Sequence, residues 1–152
     1  MWEVLPDLFL GDRGDAADRD RLRRRGITHI VNCSKELPCY FEADFRYLWL
    51  RLEDPDPRFS AKMPEFCAFI DEGRRAGRVM VHCTGGVSRS PAVILAYLCS
   101  LEGSLGRATE RLSRAVQTGI DDDFLHQLAQ GRGEVLSREE VKTLQQKLLG
   151  RM

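Results

Sequence analysis

Short apolar runs of strand-like composition alternate along this chain with stretches whose apolar positions recur every three to four residues. Val4-Leu5 and Leu8-Phe9-Leu10 flank Pro6-Asp7 and predict two short strands around a turn. Asp15 to Arg25 reads as a polar helix closed by Gly26. Thr28 to Cys33 is an apolar, β-branched run of strand length, and Arg46 to Leu52 is another. Glu53-Asp54-Pro55-Asp56-Pro57 must be a loop, because each proline lacks an N–H and restricts the residue before it. Met63, Phe66, Cys67 and Ile70 share one face of a helix that starts near Met63 and ends between Gly73 and Gly77. Val79 to His82 is a short apolar strand, and Pro91 to Leu101 is apolar almost all round, as a buried helix would be. Leu105, Ala108, Leu112 and Ala115 mark a further helix, and Phe124, Leu125 and Leu128 a short one. Ser137-Arg138-Glu139-Glu140 has the form of a capping box that opens a last helix, with Val141, Leu144 and Leu148 inward.

This alternation predicts an α/β fold, with a central, mostly parallel sheet flanked by helices on both faces. No repeat, low-complexity tract or linker divides residues 1–152, so they read as a single domain. In such sheets, sites lie beyond the carboxyl ends of the strands. That directs attention to the residues after Val79–His82.

Composition narrows the classes. Lys plus Arg and Asp plus Glu both number 23, which argues against a dedicated binder of nucleic acid or anionic membrane. The five cysteines are odd in number and contain no CxxC pair, which fits reduced thiols in a cytoplasmic setting. The first residues lack a basic region followed by an apolar run, so no secretory signal is expected, and neither end carries a lipidation motif. The Arg19–Arg25 run is balanced by Asp15, Asp18 and Asp20 and reads as a solvated helix face. The chain is read as a monomer.

The chemistry concentrates in His82-Cys83-Thr84-Gly85-Gly86-Val87-Ser88-Arg89-Ser90. A strand ends, seven residues curl, and a helix begins near Ser90-Pro91, where proline suits the first turn. Gly85 and Gly86 let the backbone turn with its N–H groups inward. Inward N–H groups from Thr84 through Val87 and Ser88, together with a helix N-terminus, make an anion cradle. Arg89 adds a planar, permanently charged fork for two phosphate oxygens. The same field lowers the Cys83 thiol from about 8.5 into a range of roughly 3.5–7.5. A thiolate beneath a bound phosphate is placed for in-line attack, giving a cysteinyl-phosphate. Ser90, with Ser88 as a second candidate, offers a hydroxyl to the departing thiolate.

His82, Cys83, Gly86, Arg89 and Ser90 fill the HCxxGxxR[ST] pattern, so the segment resembles the signature of the protein tyrosine phosphatase superfamily. Val4–Gly11, Gly26–Asn32 and Tyr47–Leu50 extend the likeness to atypical dual-specificity phosphatases over most of residues 2–130. The resemblance implies a five-stranded sheet and hydrolysis of phosphotyrosine, often also phosphoserine or phosphothreonine. It implies a loop aspartate upstream of the cysteine as general acid, and then as base on the attacking water. Asp54, 29 positions before Cys83, is favoured over Asp56 because it directly follows the strand Arg46–Leu52. His82 is expected behind the loop, donating a hydrogen bond that steadies the thiolate environment. One departure stands out: relatives often carry a proline- and asparagine-containing stretch where this chain has Thr118 to Asp123, which removes their asparagine brace on the phosphate loop.

Other readings remain. Free cysteines are often simple core residues, but Arg89 and the glycines have no core role. A phosphate-recognising module without turnover is a fairer rival, as is a phosphatase for a non-protein phosphomonoester. The loop interior carries no lysine, which favours a phosphorylated protein substrate over lipid or RNA. The absence of a long insertion before Cys83 implies a shallow pocket. No cofactor is expected and, with His29 and His126 read as structural or surface residues, no metal. Cys33 ends a strand expected beside that of Cys83; it reads as a packed core cysteine, with a resolving thiol as the alternative.

Overall fold

The computed structural model describes residues 1–85 and 87–151. Twelve elements follow in order: β1 (Trp2–Leu5), β2 (Leu8–Gly11), α1 (Arg13–Ala16), α2 (Arg19–Arg24), β3 (His29–Ser34), β4 (Arg46–Leu52), α3 (Phe59–Ala76), β5 (Val79–His82), α4 (Arg89–Glu102), α5 (Leu105–Ala115), α6 (Asp122–Gln130) and α7 (Arg138–Leu148). The five strands form one sheet in the order β1-β2-β5-β3-β4. Only the edge pair β1–β2 is antiparallel; β2–β5, β5–β3 and β3–β4 are parallel. This is the predicted α/β architecture.

The alternation of side chains along each strand explains the layering. Leu8, Leu10, Val31, Val79 and Val81 face a core shared with α3 to α7. Phe9, Ile30 and Met80 face the opposite side, where Ala16, Leu22, Ile27 and Phe45 cover them. Strand β5 lies between β2 and β3 and is buried along its whole length. Its carboxyl end delivers Cys83 into the larger core. Helix α4 is buried continuously from Ser90 to Cys99, as its all-round apolar sequence required.

Two boundaries differ from the sequence reading. The polar helix of Asp15–Arg25 is two helices, because Asp12 caps α1 in a capping box and Asp18 caps α2 through Arg21 N–H. Both carboxylates compete with a continuous helix by satisfying local backbone donors. Helix α3 begins at Phe59 rather than Met63 and carries Pro64 inside it. Phe59 is fully buried, with its ring 5.6 Å from Phe66 and 4.9 Å from Phe124. Burial of that ring draws the helix back past a residue that cannot donate. The capping box at Ser137 and Glu140 forms as expected. Arg19 and Arg23 pair with Asp44 at the surface, so the basic run is a solvated face. No helix among the described residues is long and apolar enough to cross a membrane.

The Phe59–Phe124 contact ties the start of α3 to α6. Phe124→Ala is expected to cost about 3–5 kcal/mol, measured as a fall in the urea midpoint at unchanged slope.

Candidate active site

The strand-to-helix connection from His82 to Ser90 meets three other segments at the carboxyl edge of the sheet: the β3–β4 loop, the β4–α3 loop and the α5–α6 loop. Cys83 is fully buried, and its Sγ lies 3.0 Å from Ser90 Oγ and 3.5 Å from the Val87 carbonyl. Ser90 sits in the first turn of α4, itself buried. The sequence therefore places the Cys83 thiol and the Ser90 hydroxyl together. Gly86 lies outside the described residues.

Among the described residues, the tightest turn of the loop falls at Ser88, and the Gly86 part of the expectation lies outside them. Gly85 has open space where a Cβ would stand. Among the described loop residues, Ser88 has a positive φ, at φ 74° and ψ −75°. Arg89 N–H donates to Val87 C=O at 3.1 Å, closing a γ-turn centred on Ser88. That conformation is strained for a residue with a side chain, and three hydrogen bonds hold it. Ser88 N–H donates to Gly119 C=O at 3.0 Å, Asp121 N–H donates to Ser88 Oγ at 3.1 Å, and Ser88 Oγ donates to Asp54 Oδ1 at 2.7 Å. The segment that lacks the asparagine thus braces the loop through its own backbone.

Asp54 and Asp56 part company in the structure. Asp54 is exposed and bonded to Ser88. Asp56 is fully buried and accepts from Glu53 N–H, Arg58 N–H and the Arg58 guanidinium. Burial alone would raise its pKa, but these donors outweigh it and hold the carboxyl down to about 2. Asp56 is thus the internal anchor of the loop that presents Asp54. Gln127, on α6, was not singled out from sequence. Its amide donates to Asp56 C=O at 2.7 Å while its oxygen accepts from Ser60 N–H and Oγ at 2.9 Å. A lone glutamine carries no sequence signal for such a contact.

His82 is buried, and burial pushes its pKa down to about 4, so the ring is neutral at neutral pH. Its Nδ1 lies 3.4 Å from Cys83 C=O and donates to it, touching the backbone of Cys83 rather than its sulfur. The Cys33 thiol, on β3 beside β5, is free and fully buried. Burial, and then the nearby Cys83, pushes its pKa well above the usual thiol range.

Arg89 closes the cradle. Nη1 donates to Glu36 Oε1 at 2.6 Å and to Leu52 C=O at 3.1 Å; Nη2 donates to Glu36 Oε2 at 2.8 Å and to Thr84 Oγ1 at 3.2 Å. Thr84 Oγ1 in turn donates to Glu36 Oε2. Glu36 was also missed by sequence reasoning: it lies 53 positions from Arg89 in a loop without a motif.

A thiol beside a helix N-terminus, an arginine in the same loop and an exposed aspartate on an adjoining loop thus meet at one edge of the sheet. The family model for the dual specificity phosphatase catalytic domain matches residues 8–132, and the chain belongs to that family. Human dual specificity protein phosphatase 2 is 43% identical over 98 residues, covering 63% of this chain and 31% of the relative. Chicken dual specificity protein phosphatase 4 is 41% identical over 98 residues, covering 63% of this chain and 26% of the relative. The chain therefore spans about a third or less of these curated relatives. Human DUSP28 superposes with a TM-score of 0.81 at 31% identity, covering 88% of this chain and 96% of that one. A human tyrosine phosphatase-like serine/threonine/tyrosine-interacting protein gives 0.78 at 30%, covering 88% and 95%.

Asp56 supplies a pH test. Its folded pKa is depressed, so its contribution is present above the unfolded aspartate range and is lost as pH falls from near 4 through about 2. Asp56→Asn is expected to be less stable than wild type by about 2 kcal/mol at neutral pH. The gap closes in urea titrations as pH approaches 2.

Proposed function

We propose that this chain is a metal-independent phosphoprotein phosphatase that hydrolyses phosphotyrosine and phosphoserine or phosphothreonine through a cysteinyl-phosphate intermediate. The observation that carries the reading is a single connected set: Cys83 Sγ 3.0 Å from Ser90 Oγ, with Ser88 in the same loop 2.7 Å from Asp54. The Cys83 thiolate attacks phosphorus as the ester P–O bond breaks. Asp54 gives its proton to the leaving oxygen, Oδ1 being committed to Ser88 and Oδ2 carrying the proton. Water then attacks the cysteinyl-phosphate, Asp54 takes its proton, and the S–P bond breaks with Ser90 Oγ–H donating to the departing thiolate. Arg89 and the N–H groups of Thr84, Gly85 and Val87 hold the phosphoryl oxygens; the expected Ser88 N–H is not among them, because it is committed to Gly119 C=O, and His82 supports the backbone of Cys83.

The substrate class rests on the loop interior, which offers no lysine to a polyanionic lipid or nucleic acid. Five free cysteines support a reducing, cytoplasmic setting, and the chain acts as a monomer on its phosphoprotein, with no membrane or nucleic-acid partner. The binding-module alternative draws support from one neighbour, which is named phosphatase-like and interacting.

Turnover separates the two. The purified chain in the presence of chelator is expected to hydrolyse a small aryl phosphate, and Cys83→Ser to abolish it; phosphopeptide binding without turnover in the wild type would establish the alternative. In a pH–rate profile, Asp54→Asn is expected to lower kcat about 10²–10⁴-fold and to remove the basic limb. Asp56→Asn keeps that limb; its selective loss there would transfer the acid role to Asp56.

A further inference from the structure

Arg89 is held more completely than a phosphate-binding arginine needs to be. Glu36 takes the end of the guanidinium, one oxygen on Nη1 and one on Nη2, while Leu52 C=O and Thr84 Oγ1 take one further proton each. Four of the five N–H groups are thereby committed. The fifth, Nε–H, is buried and has no partner among the described residues. It lies on the same edge of the guanidinium as Nη2, so Nε–Nη2 is the edge that holds the one uncommitted N–H, with only the Thr84 hydroxyl on its other proton.

We propose that Glu36 is a positioning residue for phosphate binding: by gripping Arg89 end-on it turns the Nε–Nη2 edge into the cradle above Cys83. This deepens the phosphatase reading and rests on it for the identity of the oxyanion. Thr84 is the group that yields on binding, since its hydroxyl sits on Nη2 and can stay with Glu36. The competing arrangement, with Glu36 occupying the seat of the phosphate, would put a carboxylate on the Nε edge, which is the edge left empty. Repulsion between Glu36 and a phosphoryl group is damped because the Glu36 side chain is 50% exposed. Arg89 holds the Glu36 carboxyl far below the usual carboxylate range, so the grip persists across neutral and mildly acidic pH.

The test uses Glu36→Gln and Glu36→Ala, with thermal melts confirming that each is folded. Inorganic phosphate is titrated by calorimetry and by the ¹H–¹⁵N signal of Arg89 Nε, alongside kcat and KM for an aryl phosphate. In wild type the Nε–H signal shifts on phosphate addition. In Glu36→Ala, phosphate is expected to bind about tenfold more weakly, the Nε–H response to be lost, and kcat/KM to fall about 10–100-fold; Glu36→Gln, which keeps one acceptor, lies between. Unchanged or tighter phosphate binding in Glu36→Ala overturns the proposal. A phosphate-responsive Nε–H in a wild-type chain that turns over no ester would overturn the phosphatase reading and leave the positioning role standing.

Discussion

The structure turns on one constraint: the chain must pass from a fully buried strand into a helix buried from Ser90 to Cys99 through only six residues, Cys83 to Ser88. Strand β5 is flanked by β2 and β3, and α4 is enclosed from Ser90 to Cys99, so neither end can shift to relieve the turn. The remaining freedom lies in the loop, and within its described residues the γ-turn at Ser88 reverses the backbone. A strained residue persists only when its surroundings over-determine it. Here its N–H and hydroxyl are tied to Gly119, Asp121 and Asp54. The same bonds that hold the turn therefore set the distance between the phosphate loop and the aspartate above it.

The β4–α3 loop is rigid for a different reason. Asp56 turns inward and gathers four donors, two of them backbone N–H groups at either end of the loop. Gln127 grips its carbonyl and the first turn of α3 together. Burying a carboxylate is costly unless it is paired and hydrogen-bonded, and the Arg58 guanidinium meets both conditions. Two neighbouring aspartates thus divide the work: one is buried as an anchor, and the other is left exposed at the rim.

What could be read from sequence follows from how local each signal is. The strands, the buried α4 and the Ser137 cap are encoded within a few residues and were legible. So was the meeting of Cys83 with Ser90, which their spacing across the turn into α4 sets, and the place of Asp54 beside that loop, which follows from the end of β4. The break between α1 and α2 depended on whether Asp18 would serve its own turn, and the start of α3 on a ring contact between Phe59 and Phe124, 65 positions apart. Gln127 and Glu36 act across comparable separations with no pattern around them. Side chains that complete a site from distant loops are invisible until the fold brings them together.

The absence of an asparagine from Thr118 to Asp123 leaves the loop braced all the same. A brace requires a donor and an acceptor at the loop, not a particular side chain. Gly119 and Asp121 supply both from the backbone, because α6 begins with Asp121 as its cap and so fixes the direction of that N–H. Backbone groups held by a helix end lose little further freedom when they bind, whereas a side-chain amide must give up rotamers. The exchange moves rigidity from a side chain to the start of a helix, and the phosphate loop then depends on α6 staying docked through Phe124 and Gln127.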